Sequence, residues 1–203
     1  MALCLGSVAH AAPVTYHLQP KRSKLVAHLL KAGAGSRFAH DHVVEARQVS
    51  GVVVVDPASS GASRISVTVP TRSLRADDPK LRRRYGMKTV LAPKDRRKVE
   101  QNMRSPAQLH TARYPSITFA SKKVVPLKGK DRYRVHGTLT IRGVSRSVTT
   151  TVRASVSGGT FKGSCQLRVR QSAFGYKPYS AMLGLVSVRD LITINIYLHG
   201  RTR

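Results

Sequence analysis

The sequence predicts an all-β chain whose strands run antiparallel, up and down, and close into a barrel of about eight strands interrupted by one short helical excursion. Three observations point there. Apolar and polar residues alternate with a period of two along most of the chain, turn signals recur at short spacing, and helical patterning is confined to a single stretch.

The strands can be read in order. "VSGVVVVDP" supplies Val53 and Val55 and stops at Asp56-Pro57. "SRISVTVPT" places Ile65, Val67 and Val69 on one face against Arg64, Ser66 and Thr68. "YPSITFAS" sets Ile117 and Phe119 against Ser116, Thr118 and Ala120, and "YRVHGTLTIRG" sets Val135, Leu139 and Ile141 against Arg134, His136 and Thr140. "SVTTTVRASV" and "RDLITINIYLHG" repeat the pattern with Val148, Val152, Ile192, Ile194, Ile196 and Leu198. Each is the mark of a strand with one apolar and one polar face. Gly61, Gly129-Lys130-Asp131, Gly143 and Gly158-Gly159 punctuate them, and connections this short favour antiparallel neighbours. Arginines and threonines on the polar faces, without aromatic girdles, argue against an outer-membrane barrel with its apolar side outward.

Residues 71–114 break the alternation. Between 80 and 104 stand ten Lys and Arg, with Pro93 and Pro106 as punctuation, and "APKDRRKVEQNM" predicts a helix opening near Pro93 with its basic residues on a solvated face. Asp77-Asp78 reads as a turn or a helix cap.

Composition bounds the rest. The 203 residues suit one domain, and no apolar run approaches the ~18 residues of a membrane-crossing helix. Thirty-six Lys and Arg against nine Asp and Glu leave +27, a field that favours anionic partners or reflects a host rich in arginine. Residues 1–11, "MALCLGSVAHA", read as a signal peptide with a small-x-small cleavage site at Ala9-His10-Ala11, leaving residues 12–203 as the mature domain and predicting a periplasmic or secreted bacterial protein. Cleavage there leaves Cys165 as the only cysteine and allows no internal disulfide.

The order "YHLQPKRSKL", "AHDHVV", "VSGVVVVDP", "ISVTVPTRSL", "ARYPSITFAS", "YRVHGTLTIRGVSRSVT" and "FGYKPYS…VSVRDLITINI" resembles the polyisoprenoid-binding YceI-like family from about Tyr16 to the C-terminus. The resemblance implies an extended lipocalin-like barrel whose lumen takes a polyisoprenoid or isoprenoid quinone, without catalysis and without a cofactor beyond that lipid.

On this reading the lumen is lined by Val53, Val55, Val67, Val69, Ile117, Phe119, Leu139, Ile141, Ile194 and Ile196, joined by Phe38, Phe174, Met182 and Leu185. The same side chains would equally fill a solid core, since a small barrel is either packed full or holds one slim ligand. His40, His42, Tyr176 and Tyr179 are the expected rim, meeting a ligand headgroup.

Other chemistries are weaker in the sequence. His40-Asp41-His42 offers ligands for a metal-dependent hydrolase, but a strand would put both histidines on one face and the third ligand is unplaced. There is no nucleophile elbow, P-loop, dinucleotide fingerprint or haem motif. A basic nucleic-acid module would interleave stacking aromatics, and residues 80–104 hold only Tyr85, so nucleic acid is not an expected partner. The expected partners are a long-chain apolar lipid, an anionic membrane surface through residues 80–104, and a second copy in a homodimer.

Overall fold

The computed structural model describes residues 12–203; the proposed signal peptide, residues 1–11, lies outside the described residues. In chain order the elements are β1 (Val14–Leu18), β2 (Lys24–Leu29), β3 (Lys31–Ala32), β4 (His42–Ala46), β5 (Ser50–Val55), β6 (Arg64–Pro70), β7 (Leu74–Ala76), α1 (Pro79–Arg84), α2 (Pro93–Arg104), β8 (Ser116–Pro126), β9 (Arg132–Ile141), β10 (Val144–Ser157), β11 (Thr160–Arg170), β12 (Ser180–Ala181), β13 (Val186–Val188) and β14 (Leu191–Arg201).

Eleven strands form one sheet, but they make eight staves, because three staves are each broken once. β1 and β2 are two halves of the first: β1 pairs with β5 from Val14↔Val55 to His17↔Val52, and β2 continues alongside β4 from Leu25↔Ala46 to Leu29↔His42. β4 with β5, and β6 with β7, are split in the same way. The chain then runs up and down through β8, β9, β10, β11 and β14. β14 closes the sheet by pairing with both halves of the first stave, Thr193↔His28 to Tyr197↔Lys24 and then His17↔Arg201 and Leu18↔Gly200. A closed barrel has no free edge. The antiparallel barrel read from the alternation is the fold. One boundary differs: Leu74–Ala76, inside the stretch predicted to leave the sheet, extends the β6 stave after the short 3-10 turn Thr71–Ser73 hides its alternation.

The apolar faces point inward. Val135, Leu139 and Ile141 are buried, while Arg134, Arg146, Arg153, Arg168 and Arg170 are exposed. Such an outer surface is unsuited to hydrocarbon.

The two ends are unlike. At one, the connections are the segments around 56–63 and 127–131 and the Gly158-Gly159 turn, whose φ of +52° and +69° fit the two left-handed positions of a tight hairpin. At the other, only Arg142-Gly143 is tight; residues 30–41, 77–115 and 171–190 are long and carry both helices. A second sheet, β12-β13-β3, is built from two of these connections.

Near the short-connection end, rings fill the interior. Tyr16 and Phe161 are buried with centroids 6.1 Å apart, and they need inward glycines opposite them. A Cβ on Gly163 would stand 2.8 Å from the Phe161 ring, and one on Gly200 would stand 3.0 Å from Tyr16 Cβ. Phe119 lies over Gly137 in the same manner. Gly137→Ala would put a methyl 2.5 Å from that ring and 2.6 Å from the Ala120 carbonyl oxygen, with backbone on one side unable to yield. This variant is expected to lose about 1–3 kcal/mol, the range for overpacked cores, read as a lower urea midpoint at unchanged slope.

Candidate functional site

Above the ring layer the aliphatic side chains stop short of one another and leave a cavity of about 220 Å³. Its walls are Leu25, Ala27, Leu29, Val44, Ala46, Val69, Leu74, Ile117, Leu139, Ile141, Ile192 and Ile194. The polar lining groups are His42, Asn102, Gln108, Gln171, Tyr176 and Tyr179. Tyr179 is the one lining residue that is itself exposed, at 37 %, and so marks where the cavity meets solvent.

Helix α2 roofs the cavity. Val99 and Met103, one turn apart, face the lumen with Asn102, while Lys94, Arg97 and Lys98 lie exposed on the far side. Two anchors seat the helix on β7: Glu100 Oε1 accepts from the Ala76 N–H at 3.1 Å, and Arg104 donates to Glu100 Oε2 at 2.8 Å and to the Leu74 carbonyl at 3.2 Å. Further bonds tie the long connections to each other. Gln108 donates to the Lys177 carbonyl, and Arg142 donates to the carbonyls of Gly175 and Pro106, both at 2.7 Å.

The main polar feature of the wall is a buried chain of charge. His42 Nδ1 donates to Asp77 Oδ2 at 2.6 Å, and Arg82 donates to Asp77 Oδ1 at 2.7 Å. The Val43 N–H adds a third bond to Asp77 Oδ1 at 3.2 Å. Asp77 is fully buried and Arg82 is 3 % exposed. Arg82 spends its other donors on the carbonyls of Asp41 and Thr89, which ties α1 to both neighbouring connections. Burial alone would raise the Asp77 carboxyl; hydrogen bonding to His42, the His42 charge and the Arg82 bond outweigh it and hold the pKa below the usual carboxylate range. Asp77 also adopts φ +55°, a region that aspartate tolerates better than most residues, and its neighbour Asp78 caps α1 through Lys80 N and Leu81 N. With Nδ1 committed to Asp77, the His42 ring is held in one orientation at the cavity wall.

Several expected site residues are placed otherwise. Val69, Ile117, Leu139, Ile141, Ile194, His42, Tyr176 and Tyr179 line the cavity. Val53, Val55, Val67, Phe119 and Ile196 face inward but pack into the core around the rings and not against the void. Phe174, 1 % exposed, is locked in the second core cluster with Tyr176 and Ile192. Phe38, Met182 and Leu185 are corrections: they are 70 %, 65 % and 51 % exposed, because they sit in connections outside the barrel where no alternation fixes their side. His40 is another. The strand begins only at His42, so His40 lies exposed in the preceding loop, and the assumption that both share a strand face fails. His28 stacks edge-on with Tyr85 at 4.2 Å, and His110 with Tyr114. Among the described residues, no three of His, Cys, Asp and Glu gather at metal-binding distance. The basic face expected for the helix from Pro93 is solvated at Lys94, Arg97 and Lys98, whereas Arg82, in the preceding helix, is buried.

The sequence reading missed Leu25, Ala27 and Leu29, whose alternation in "KLVAHL" was legible, and the Val99/Met103 pair, whose four-residue spacing stood out among charges. Asp77 and Arg82 carried no signal. Burial pushes the Tyr176 hydroxyl up to about 12 and the Cys165 thiol up to about 11, so neither is poised as a nucleophile.

A barrel of this fold is matched by known proteins. The YceI-like domain family covers residues 16–199. The chain belongs to the YceI-like family. Among solved structures, BcnA of Burkholderia cenocepacia superposes with a TM-score of 0.65 at 20% identity, over 90% of this chain and 98% of that one. The YCEI protein of Campylobacter jejuni gives 0.59 at 19%, over 79% and 84%. At these identities the likeness is one of fold. No curated protein matches the chain.

Breaking the buried ion pair from one side leaves an uncompensated charge. Arg82→Met is therefore expected to cost about 3–5 kcal/mol in urea unfolding at neutral pH. The Asp77 carboxyl also adds an acid limb. Its folded pKa is depressed, so its stabilisation is whole above the unfolded value of about 3.9 and drains as pH falls below that toward the folded value. Asp77→Asn should lose stability at neutral pH and show a flatter decline below about pH 4 than the parent protein, measured by urea midpoints across pH.

Proposed function

We propose that this protein binds and carries an apolar lipid of the polyisoprenoid or isoprenoid-quinone class, without catalysing a reaction on it. The observation that carries the reading is the aliphatic cavity, open beside Tyr179 and bounded by only six polar side chains. Each methylene that it withdraws from water contributes about 0.8 kcal/mol, so affinity needs no specific polar contact. His42 and the polar groups near the mouth orient a head; the walls hold the tail. Family membership supports the same ligand class.

The dimensions refine the reading. A void of about 220 Å³ lies below the ~300–1,000 Å³ of sites for drug-sized ligands, and the ring layer closes its lower end. One slim chain fits, entering tail first, with the remainder of a long chain left at the mouth. The leader-like residues 1–11 support a periplasmic or secreted setting, where a carrier moves insoluble lipid through water.

Native mass spectrometry of the purified protein, followed by solvent extraction, is the direct test. An isoprenoid-bearing molecule should co-purify. Protein that emerges empty and takes up none from a lipid extract would refute carriage. Ile117→Phe, which adds about one methylene's volume to the wall of the void, should displace about one methylene of chain, or about 0.8 kcal/mol and about fourfold in affinity, while the far-ultraviolet circular dichroism stays that of the parent.

A further inference from the structure

Hydrophobic side chains outside the barrel are not scattered. Of the eleven large ones that are exposed, eight fall at the long-connection end: Val90 between the two helices, and Leu30, Phe38, Tyr179, Met182, Leu183, Leu185 and Leu191 in or beside the other two connections. The centre of this group is the β12–β13 hairpin. Its base lies at the cavity, for Tyr179 and Val188 both line it and the Val188 N–H donates to the Tyr179 carbonyl at 2.9 Å. Its tip, Met182-Leu183-Gly184-Leu185, is exposed throughout, and Leu183 fully so.

The exposure is built in. Met182, Leu183 and Gly184 adopt φ of +52°, +54° and +92°, and only the glycine does so without strain. Bulky apolar residues held in a disfavoured conformation and aimed at water are an outlier that points to use. The tip is also braced. The Gly35 N–H donates to the Leu185 carbonyl at 2.8 Å, and Gly33 packs so closely that a Cβ would stand 2.4 Å from the same oxygen. That brace brings the 30–41 connection, with Phe38 at 70 % exposure, beside the hairpin. The Arg37 guanidinium lies over the Phe38 ring at 4.8 Å.

We infer that the β12–β13 hairpin and Phe38 form a membrane-docking prow that sets the cavity mouth against an anionic bilayer. An apolar tip that inserts among headgroups, flanked by cations, is the pattern of interfacial anchors. The two connections, residues 30–41 and 171–190, hold Lys31, Arg37, Lys177 and Arg189 against Asp41 and Asp190. Charge selects the occupant. At +27 two copies of this chain repel each other, whereas a negatively charged leaflet attracts either one. The docking segment is thus the hairpin, with the basic outer face of α2 as an auxiliary at the same end and not the anchor. The role gains its use from lipid carriage, since cargo would pass between bilayer and lumen beside Tyr179, but docking is measurable without cargo.

The chain has no tryptophan, so Leu183→Trp installs a single reporter at the tip. With vesicles of mixed phosphatidylglycerol and phosphatidylcholine, its emission should shift to the blue and be quenched by brominated acyl chains; pure phosphatidylcholine should produce far less of either. A Phe38→Ser/Leu183→Ser double variant, with unchanged circular dichroism, should bind the anionic vesicles roughly tenfold more weakly or worse in sedimentation. The proposal is overturned if the tryptophan stays unshifted while the protein sediments, which would place the contact elsewhere, such as on α2. It is equally overturned if the protein ignores anionic vesicles, if the serine variant binds them as the parent does, or if the emission shifts with protein concentration alone, which would make the tip a self-association surface. Absence of co-purifying lipid would defeat carriage and leave each of these readouts standing.

Discussion

Everything in this molecule rests on β14 meeting both halves of the first stave. Until that ladder forms, the period-two alternation specifies two faces without saying which is inside. Closure decides it: one face of all eight staves converges on a shared axis, and the other turns its arginines and threonines to solvent. Because β1 and β2 are offset across the break at Gln19–Ser23, a single strand satisfies both partners and no edge is left unpaired.

Closure also creates more interior than the side chains can fill. The molecule deals with this unevenly. Toward the short-connection end, rings are set against inward glycines and pack tightly; toward the other end the lining is leucine, isoleucine, valine and alanine, and a void persists. An apolar void forfeits dispersion contacts and is costly to keep. α2 covers it instead of filling it, and the anchors of that helix are polar bonds to β7 at its rim. The price of this arrangement is the buried Arg82–Asp77–His42 chain, which desolvates charge deep under the long connections. What it achieves is a fixed imidazole at the wall of a mostly aliphatic chamber, its orientation set by the carboxylate behind it.

Function is therefore concentrated at one end. The 77–115 and 171–190 connections roof the cavity and supply all its polar groups but His42; together with 30–41 they carry most of the exposed apolar surface, and the three are bonded to one another through Arg142, Gln108 and Arg82. The opposite end is short turns and packed rings. On the proposed carriage of lipid, one working end means approach to a donor or acceptor in a single orientation, which the positive charge would assist over distances set by the ionic strength.

The sequence by itself determined the staves, the turns between them, the antiparallel closed architecture and the helix from Pro93, because each is written in neighbours two, three or four residues apart. It also put Ile117, Leu139, Ile141 and Ile194 on the apolar faces, which closure then turned inward. Depth along the barrel was beyond it: Val69 borders the void and Val67 packs the core two residues earlier in the same strand, a difference set by which rings stand across the lumen. Phe38, Met182 and Leu185 were misplaced inside because irregular connections carry no period from which a face can be read. Asp77, Arg82 and His42 lie up to 40 residues apart and meet only when α1 folds back over β4. Local pattern reports what the backbone does; which side chains share a void, a buried charge or an exposed tip is settled by contacts between distant parts of the chain, and those exist only once the barrel has closed.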